Sequence, residues 1–148
     1  MIRPVLPEDA DQIAEIYNDY ILNTPITFEE VAISGDIIRL RIQDVTGDGC
    51  PWIVFVNADQ LVGYAYASKW HIRNSYRYSV EPTIYLDRRM TGRGVGKQLF
   101  TALLEMLKDC GFHTAIGLIA LPNPASVRLH ESLGFTKVAH LKEVGFKL

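Results

Sequence analysis

One strand–turn–helix segment constrains the fold more than any other part of the chain. Residues 79–87 are predicted to form a strand, and residues 95–110 carry a full apolar stripe at helical spacing that ends at Gly111. Three alternate glycines mark the junction of the two elements: Gly92 and Gly94 lie in the turn, and Gly96 lies in the first turn of the helix. Because a helix with such a stripe buries it against a neighbouring layer, the segment predicts an α/β domain.

The rest of the chain supplies further layers for such a domain. Strands are predicted at residues 2–5, 52–56, 61–68 and 113–119, with a last strand beginning at Phe135. Helices are predicted at residues 8–22 and 34–45, and a short one runs from Asn123 to Gly134. The order β-α-α-β-β-β-α-β-α-β predicts one mixed, three-layer α/β (α+β) domain over residues 1–148.

The composition of the chain limits the classes of partner that this domain can be expected to bind. The chain has 15 basic and 17 acidic residues and a net charge of −2, which disfavours a nucleic-acid binder. No apolar run reaches the roughly 18 residues that span a bilayer, and the start lacks the apolar stretch of a signal peptide. Its two cysteines and four histidines show no metal-site spacing. We therefore predict a cytoplasmic protein without membrane, nucleic-acid or metal partners.

The strand before the glycine-rich turn contains a proline. Side chains alternate along it, with Val80, Ile84 and Leu86 on one face and Glu81, Thr83 and Tyr85 on the other. Pro82 cannot donate a ladder hydrogen bond, which indicates a bulge or a local parting of strands, or else an edge strand.

The glycine-rich turn is a candidate anion cradle. Free N–H groups at a helix N-terminus bind phosphate, and Arg89, Arg93 and Lys97 add positive charge there. The alternative is a tight strand-to-helix turn with solvated arginines. A nucleotide P-loop pattern is absent, and the glycine spacing does not match the dinucleotide fingerprint.

Two motifs resemble those of the GNAT superfamily of N-acetyltransferases. The Arg-x-x-Gly-x-Gly pattern of residues 89–94 is similar to its acetyl-CoA pyrophosphate loop, and residues 123–135 are similar to its later helix on the CoA side. Four segments further resemble the phosphinothricin acetyltransferase family, within a similarity that runs from residue 1 to about residue 146: 68–76 (SKWHIRNSY), 80–86 (VEPTIYL), 121–123 (LPN) and 127–135 (VRLHESLGF).

This resemblance implies a fold and an activity. The fold is a mixed, mostly antiparallel sheet flanked by helices. The activity is direct transfer of acetyl from acetyl-CoA to the amine of a small amino acid-like substrate, such as phosphinothricin, methionine sulfone or methionine sulfoximine. The family also implies a homodimer. An alternative is a non-catalytic or impaired acyl-CoA-binding module on the same fold.

Two residues are candidates for the chemistry. The family places its catalytic glutamate at the position of Glu81, which would act as a base directly or through water, whereas an ordinary strand carboxylate would face solvent. Many superfamily members have a tyrosine where this chain has His130. His130 would orient the substrate or assist proton transfer, or it would simply pack.

Four residues are candidates for substrate binding. Arg73 and Tyr76 would hold the acidic end of the substrate, because a guanidinium pairs with a carboxylate or phosphinate through two prongs. Phe28 and Glu29 resemble a family segment that lines the amine pocket. The alternative for each pair is an ordinary loop.

The acetyl-CoA contacts follow from the same resemblance. Backbone groups of Tyr85 and Leu86 would bind the pantetheine arm as an added strand does. Asn123 is a further candidate, although capping the short helix also explains it. The pyrophosphate would be held by Arg89, Gly92, Arg93, Gly94, Val95, Gly96 and Lys97.

The C-terminal segment carries one more expectation. Members of the family usually continue beyond the stretch that resembles residues 143–147, and a further aromatic-containing segment supplies their last strand. The resemblance therefore implies that the final strand is missing from this chain. An exposed sheet edge would result, which a partner could cover.

Overall fold

The computed structural model describes residues 1–147. Its sheet has five strands in the order β1-β2-β3-β4-β5. The strands are β1 (Ile2–Pro4), β2 (Trp52–Asn57), β3 (Gln60–Lys69), β4 (Ser79–Leu86) and β5 (Thr114–Ala115). The first four pair antiparallel and β5 runs parallel to β4, which confirms the predicted mixed, mostly antiparallel sheet.

Four α-helices flank this sheet: α1 (Ala10–Asn23), α2 (Gly35–Gly47), α3 (Val95–Asp109) and α4 (Pro124–Ser132). Single 3-10 turns occur at Pro7–Asp9, Asn74–Tyr76 and Arg88–Met90. Ser34 begins α2 by accepting a hydrogen bond from the Ile37 amide at 3.3 Å, which satisfies one of the free donors of the first turn. No helix in residues 1–147 has both the length and the apolar content that a membrane crossing requires.

Strand alternation divides the core into two clusters on opposite faces of the sheet. Trp52, Val54 and Tyr64 pack under α1 and α2. Ile53 and Ala65 pack against the buried side of α3. Because neighbouring residues of one strand belong to different clusters, the sheet is the middle of three layers, as predicted.

Two predicted strands differ in the structure. The strand predicted at residues 113–119 is only two residues long, and the strand predicted from Phe135 does not form within the described residues 135–147. A strand needs a neighbour along its whole length, and β4 pairs with β5 at only two positions. Phe135 instead places its ring 5.7 Å from that of Phe100 and anchors the end of α4.

Candidate active site

Strands β4 and β5 separate directly before Glu81. Their last pair is Val80 with Ala115, beyond which the Ile116 amide donates to the Val80 carbonyl at 2.9 Å. Pairing of β4 with β3 continues without a register shift through Pro82. Of the two interpretations of that proline, the structure shows the local parting of strands, and no bulge accompanies it.

The parting leaves backbone groups of β4 facing the gap. The odd-numbered residues of β4 direct their backbone toward β3, as the flanking bonds from Trp70 to Ser79 and from Asp87 to Val62 indicate. Even-numbered Ile84 and Leu86 therefore direct theirs toward the gap. Of the two residues predicted to offer backbone groups to pantetheine, Tyr85 directs its backbone toward β3, and Leu86 has its carbonyl occupied by the Tyr20 hydroxyl at 2.6 Å, which leaves the Leu86 amide facing the gap.

Glu81 lies half-buried on the sheet face that α1 and α2 cover. It alternates with Val80, which is fully buried on the α3 side. Burial raises the pKa of the Glu81 carboxyl above its usual range. A carboxylate with a raised pKa is suited to exchange a proton near neutral pH.

Aromatic rings lie on the same sheet face as Glu81. The Trp52 ring stacks 4.2 Å from that of Tyr66, and the Tyr85 ring lies 5.1 Å from that of Tyr17. Tyr66 stands opposite Thr83, two residues from Glu81. This face of the sheet is therefore largely apolar next to the carboxylate-bearing end of β4.

The loop between α1 and α2 reaches the same face. The Glu29 carboxylate pairs with the Arg41 guanidinium at 2.5 Å, and the Tyr17 hydroxyl also donates to it. Phe28, beside Glu29, is exposed and packs against Gly145. Sequence reasoning named Phe28 and Glu29 but missed Arg41 and Tyr17, because nothing in the pattern of α1 or α2 indicates that they meet this loop.

Arg73 and Tyr76 lie in the segment that joins β3 to β4. Arg73 lines a cleft of about 230 Å³ whose floor includes Cys50 and Phe112, residues of the cluster under α3. Tyr76 is exposed, and its ring lies 4.8 Å from that of His71. The structure brings Glu29 to the side of the sheet on which Glu81 lies, and the substrate contacts of Phe28, Arg73 and Tyr76 stay predictions.

The glycine-rich turn is open at the start of α3. Gly94 is the N-cap of the helix at φ +80°, and Gly92 has φ +76°, values that L side chains rarely adopt. No protein atom lies within 4 Å of where a Cβ of either glycine would be. The first turn of α3 carries no acidic residue, so the positive end of the helix dipole is unopposed there.

The basic side chains of the turn differ in their pairing. Arg89 bonds through Nε and Nη2 to Asp87 at 3.0 and 2.6 Å, and Asp87 also accepts from the Arg89 amide. Arg93 and Lys97 are exposed and form no ion pair within residues 1–147. Two of the three predicted cations are thus free to meet an anion.

His130 is a buried residue with one fixed tautomer. Its Nδ1 lies 2.7 Å from the Ser126 carbonyl oxygen, which can only accept, so Nδ1 carries the proton. Its ring lies 5.0 Å from those of Phe100 and Phe135, and a Cβ on Gly117 would come within 2.9 Å of Nε2. These contacts support the packing alternative for His130.

Asn123 acts as the N-cap of α4. Its Oδ1 accepts from the Ser126 amide at 3.3 Å, so capping occupies the side-chain acceptor. Its predicted contact with acetyl-CoA stays a prediction.

Comparisons with known proteins agree with this architecture. The family described as "Acetyltransferase (GNAT) domain" matches residues 2–148. A phosphinothricin N-acetyltransferase of Streptomyces viridochromogenes is 35% identical over 151 residues, covering 99% of this chain and 79% of that protein. An L-methionine sulfoximine/L-methionine sulfone acetyltransferase of Salmonella typhimurium is 32% identical, covering 94% of this chain and 81% of that protein.

Solved structures show the same similarity. The crystal structure of a GNAT superfamily phosphinothricin acetyltransferase from Sinorhizobium meliloti in complex with AcCoA superposes with a TM-score of 0.96. The two sequences are 36% identical, and the match covers 99% of this chain and 80% of that one. With the family match spanning nearly every residue, the chain belongs to the GNAT acetyltransferase family.

Proposed function

We propose that the protein transfers the acetyl group of acetyl-CoA to the amine of a small amino acid-like substrate. The observation that carries this proposal is the half-buried Glu81 carboxylate, which lies directly after the last β4–β5 pair. The names of the relatives, which act on phosphinothricin and on methionine sulfoximine or sulfone, support the substrate class. The homodimer and the cytoplasmic location stay predictions.

The residues present fit acetyl-CoA. The backbone groups of Ile84 and the amide of Leu86 face the gap and would bind its pantetheine arm as a neighbouring strand would. The open turn at Gly92 and Gly94 leaves room for the pyrophosphate against the start of α3. When bound, acetyl-CoA supplies an acetyl group activated as a thioester.

Glu81 performs the proton transfer in this proposal. It accepts a proton from the substrate ammonium, so that the nitrogen gains a free electron pair. That pair forms the new C–N bond while the C–S bond of the thioester breaks, and the electrons of the broken bond leave with sulfur. The nitrogen then loses its second proton, which the departing thiolate takes up to leave as the free thiol. His130 is expected to hold α4 in place, because it is buried and its ring packs against those of Phe100 and Phe135.

A thiol-release assay tests the proposal. Acetyl-CoA is mixed with the protein and, in turn, with a panel of amino acids that includes L-methionine sulfone and phosphinothricin. Release of free CoA thiol with at least one of these amines supports the proposal. Binding of acetyl-CoA without release in the presence of any amine would favour the non-catalytic module.

The pH dependence of the reaction follows from Glu81. The deprotonated carboxylate is the active form, so kcat/KM is expected to fall on acidification through the Glu81 pKa. Because burial raises that pKa, the fall begins at a higher pH than for an ordinary glutamate. Initial rates measured between about pH 5 and about pH 9 check this expectation. A rate that stays level down to the usual carboxyl range would contradict it.

The left-handed backbone conformation of Gly94 leads to a prediction about the affinity for acetyl-CoA. Replacing Gly94 with alanine forces a side chain into the left-handed region at a cost of about 1 kcal/mol. The helix N–H groups turn away as the backbone relaxes, and acetyl-CoA affinity is expected to fall about tenfold. Gly47→Ala is the matched control, because Gly47 ends α2 without a positive φ and a Cβ there meets nothing. Calorimetric titration measures both, and equal affinities would refute the cradle.

A further inference from the structure

The loop that carries Phe28 and Glu29 is tied to helix α2 by a two-pronged ion pair. Arg41 Nη1 donates to Glu29 Oε2 at 2.9 Å, and Nη2 donates to Oε1 at 2.5 Å. Two parallel bonds of this kind fix the orientation of the carboxylate in addition to pairing its charge. The side chains of Glu29 and Arg41 are 35% and 39% exposed, so the pair keeps one open side.

Other contacts hold the same loop. The Tyr17 hydroxyl donates to Glu29 Oε2 and lies 2.8 Å from Thr27 Oγ1. Lys147 Nζ donates to the Thr27 carbonyl at 2.9 Å. Three separate parts of the chain therefore contact this loop. Within residues 1–147, Arg41 alone donates to both oxygens of the Glu29 carboxylate.

The ion pair and Glu81 lie on the same side of the sheet. Tyr66 of β3 stands opposite Thr83, which alternates with Pro82 and therefore shares the face of Glu81. Tyr66 packs against the cluster under α1 and α2, and the charges of Arg41, Glu29 and Glu81 all act on its hydroxyl. This side of the sheet thus carries one carboxylate paired with a guanidinium and one whose pKa is raised by burial.

The two carboxylates differ in how many hydrogen-bond acceptor positions they have free and in how readily they take up a proton. An ionised carboxylate has about four acceptor positions. Arg41 fills two positions on Glu29 and Tyr17 fills a third, which leaves one for a further donor. That number suits one N–H of a substrate ammonium. Glu29 is poorly suited to act as a base, because its ion pair with Arg41 opposes protonation of the carboxylate.

We propose that Arg41 is a positioning residue that aims the Glu29 carboxylate at the ammonium group of the amine substrate. The proposal rests on the acetyltransferase function proposed above and adds a second role on the amine side. Glu29 receives the ammonium, while Glu81 removes its proton. Arg41 touches neither reacting group and acts only through Glu29.

Steady-state kinetics with L-methionine sulfone test this role. Arg41→Met is expected to raise KM about tenfold, with kcat changed by less than about threefold, since binding is lost and the base stays. Arg41→Lys retains one charged contact with Glu29, and its KM is expected to lie between that of Arg41→Met and that of the wild type. The matched control is Arg39→Met, which lies on the same helix and pairs at the surface with Asp36 and Asp11. An unchanged KM in Arg41→Met, or an equal rise in Arg39→Met, would overturn the proposal.

A second measurement does not depend on turnover. Arg41 is the main cause that lowers the pKa of Glu29, while burial opposes it. The Glu29 carboxyl, followed by carbon-13 NMR, is therefore expected to titrate at a higher pH in Arg41→Met than in the wild type. Five titratable or charged groups face it: Arg41 of α2, Tyr17 of α1, Tyr66 of β3, Tyr85 of β4 and Lys147.

The two measurements separate the possible failures. If the wild type acetylates no amine, the proposed function is wrong, and the NMR titration still decides whether Arg41 controls Glu29. If turnover is normal and the Glu29 titration is the same in both proteins, the positioning role is wrong and the function stands. An unchanged melting temperature of Arg41→Met would show that its KM effect is not a loss of fold.

Discussion

Replacing Glu81 with glutamine is expected to lower kcat about a hundredfold or more, while the affinity for acetyl-CoA stays the same. Glutamine keeps the shape of the side chain but cannot accept the proton of the substrate ammonium. The acid limb of the pH–rate profile is expected to disappear with the carboxyl group. Donor binding is spared, because the Gly92–Gly94 turn and the backbone of Leu86 do not involve this side chain.

The control for this variant is Glu105→Gln. Glu105 is an exposed residue of α3, so its loss of charge is expected to leave kcat unchanged. Turnover is measured as thiol release, and acetyl-CoA affinity is measured by calorimetry. Near-normal turnover of Glu81→Gln would remove Glu81 from the mechanism. A matching loss of acetyl-CoA affinity would show instead that the substitution disturbs the donor site.

Replacing Phe100 with alanine is expected to lower the free energy of unfolding by about 3–5 kcal/mol. Phe100 is 0% exposed, and its ring contacts those of His130 and Phe135, with centroids 5.0 and 5.7 Å away. Its removal leaves a cavity where α3 meets α4. A loss of this size is a large part of the 5–15 kcal/mol that is typical of a single domain.

Urea denaturation measures this change. Phe100→Leu is the matched variant, and it is expected to cost less than about 1.5 kcal/mol because most of the apolar volume remains. A loss below about 1 kcal/mol in Phe100→Ala would mean that the three rings do not form the joint between α3 and α4. It would also weaken the interpretation of His130 as a packed residue.

The parts of the fold with strong local patterns could be predicted from the sequence. The stripe of α3, its glycine stop and the alternation of β4 depend on neighbouring residues, and the structure confirms them. The strands predicted at residues 113–119 and from Phe135 depended on a partner strand, which local pattern does not reveal. An extended segment and a strand differ only by that partner.

The candidate site shows the same division. Glu81, Glu29 and the glycine turn could be named as candidates because their own segments resemble those of the family. Arg41 was missed because its importance comes from a contact with Glu29, 12 residues away along the chain and on another element. Arg73 lines a cleft together with Cys50 and Phe112, and its predicted contact with the substrate stays a prediction. Roles that follow from the path of the chain require the three-dimensional structure.

The two faces of β4 have a consequence for how selectivity can change. The residues proposed to meet the amine, Glu29 and Glu81, lie on the side of the sheet that α1 and α2 cover, whereas the groups proposed to bind the acyl donor lie at the β4–β5 gap and the start of α3. Substitutions in the two regions share few partners, so their free-energy effects should add. An amine preference can therefore be altered by changes around α1 and α2 while the donor preference is inherited unchanged.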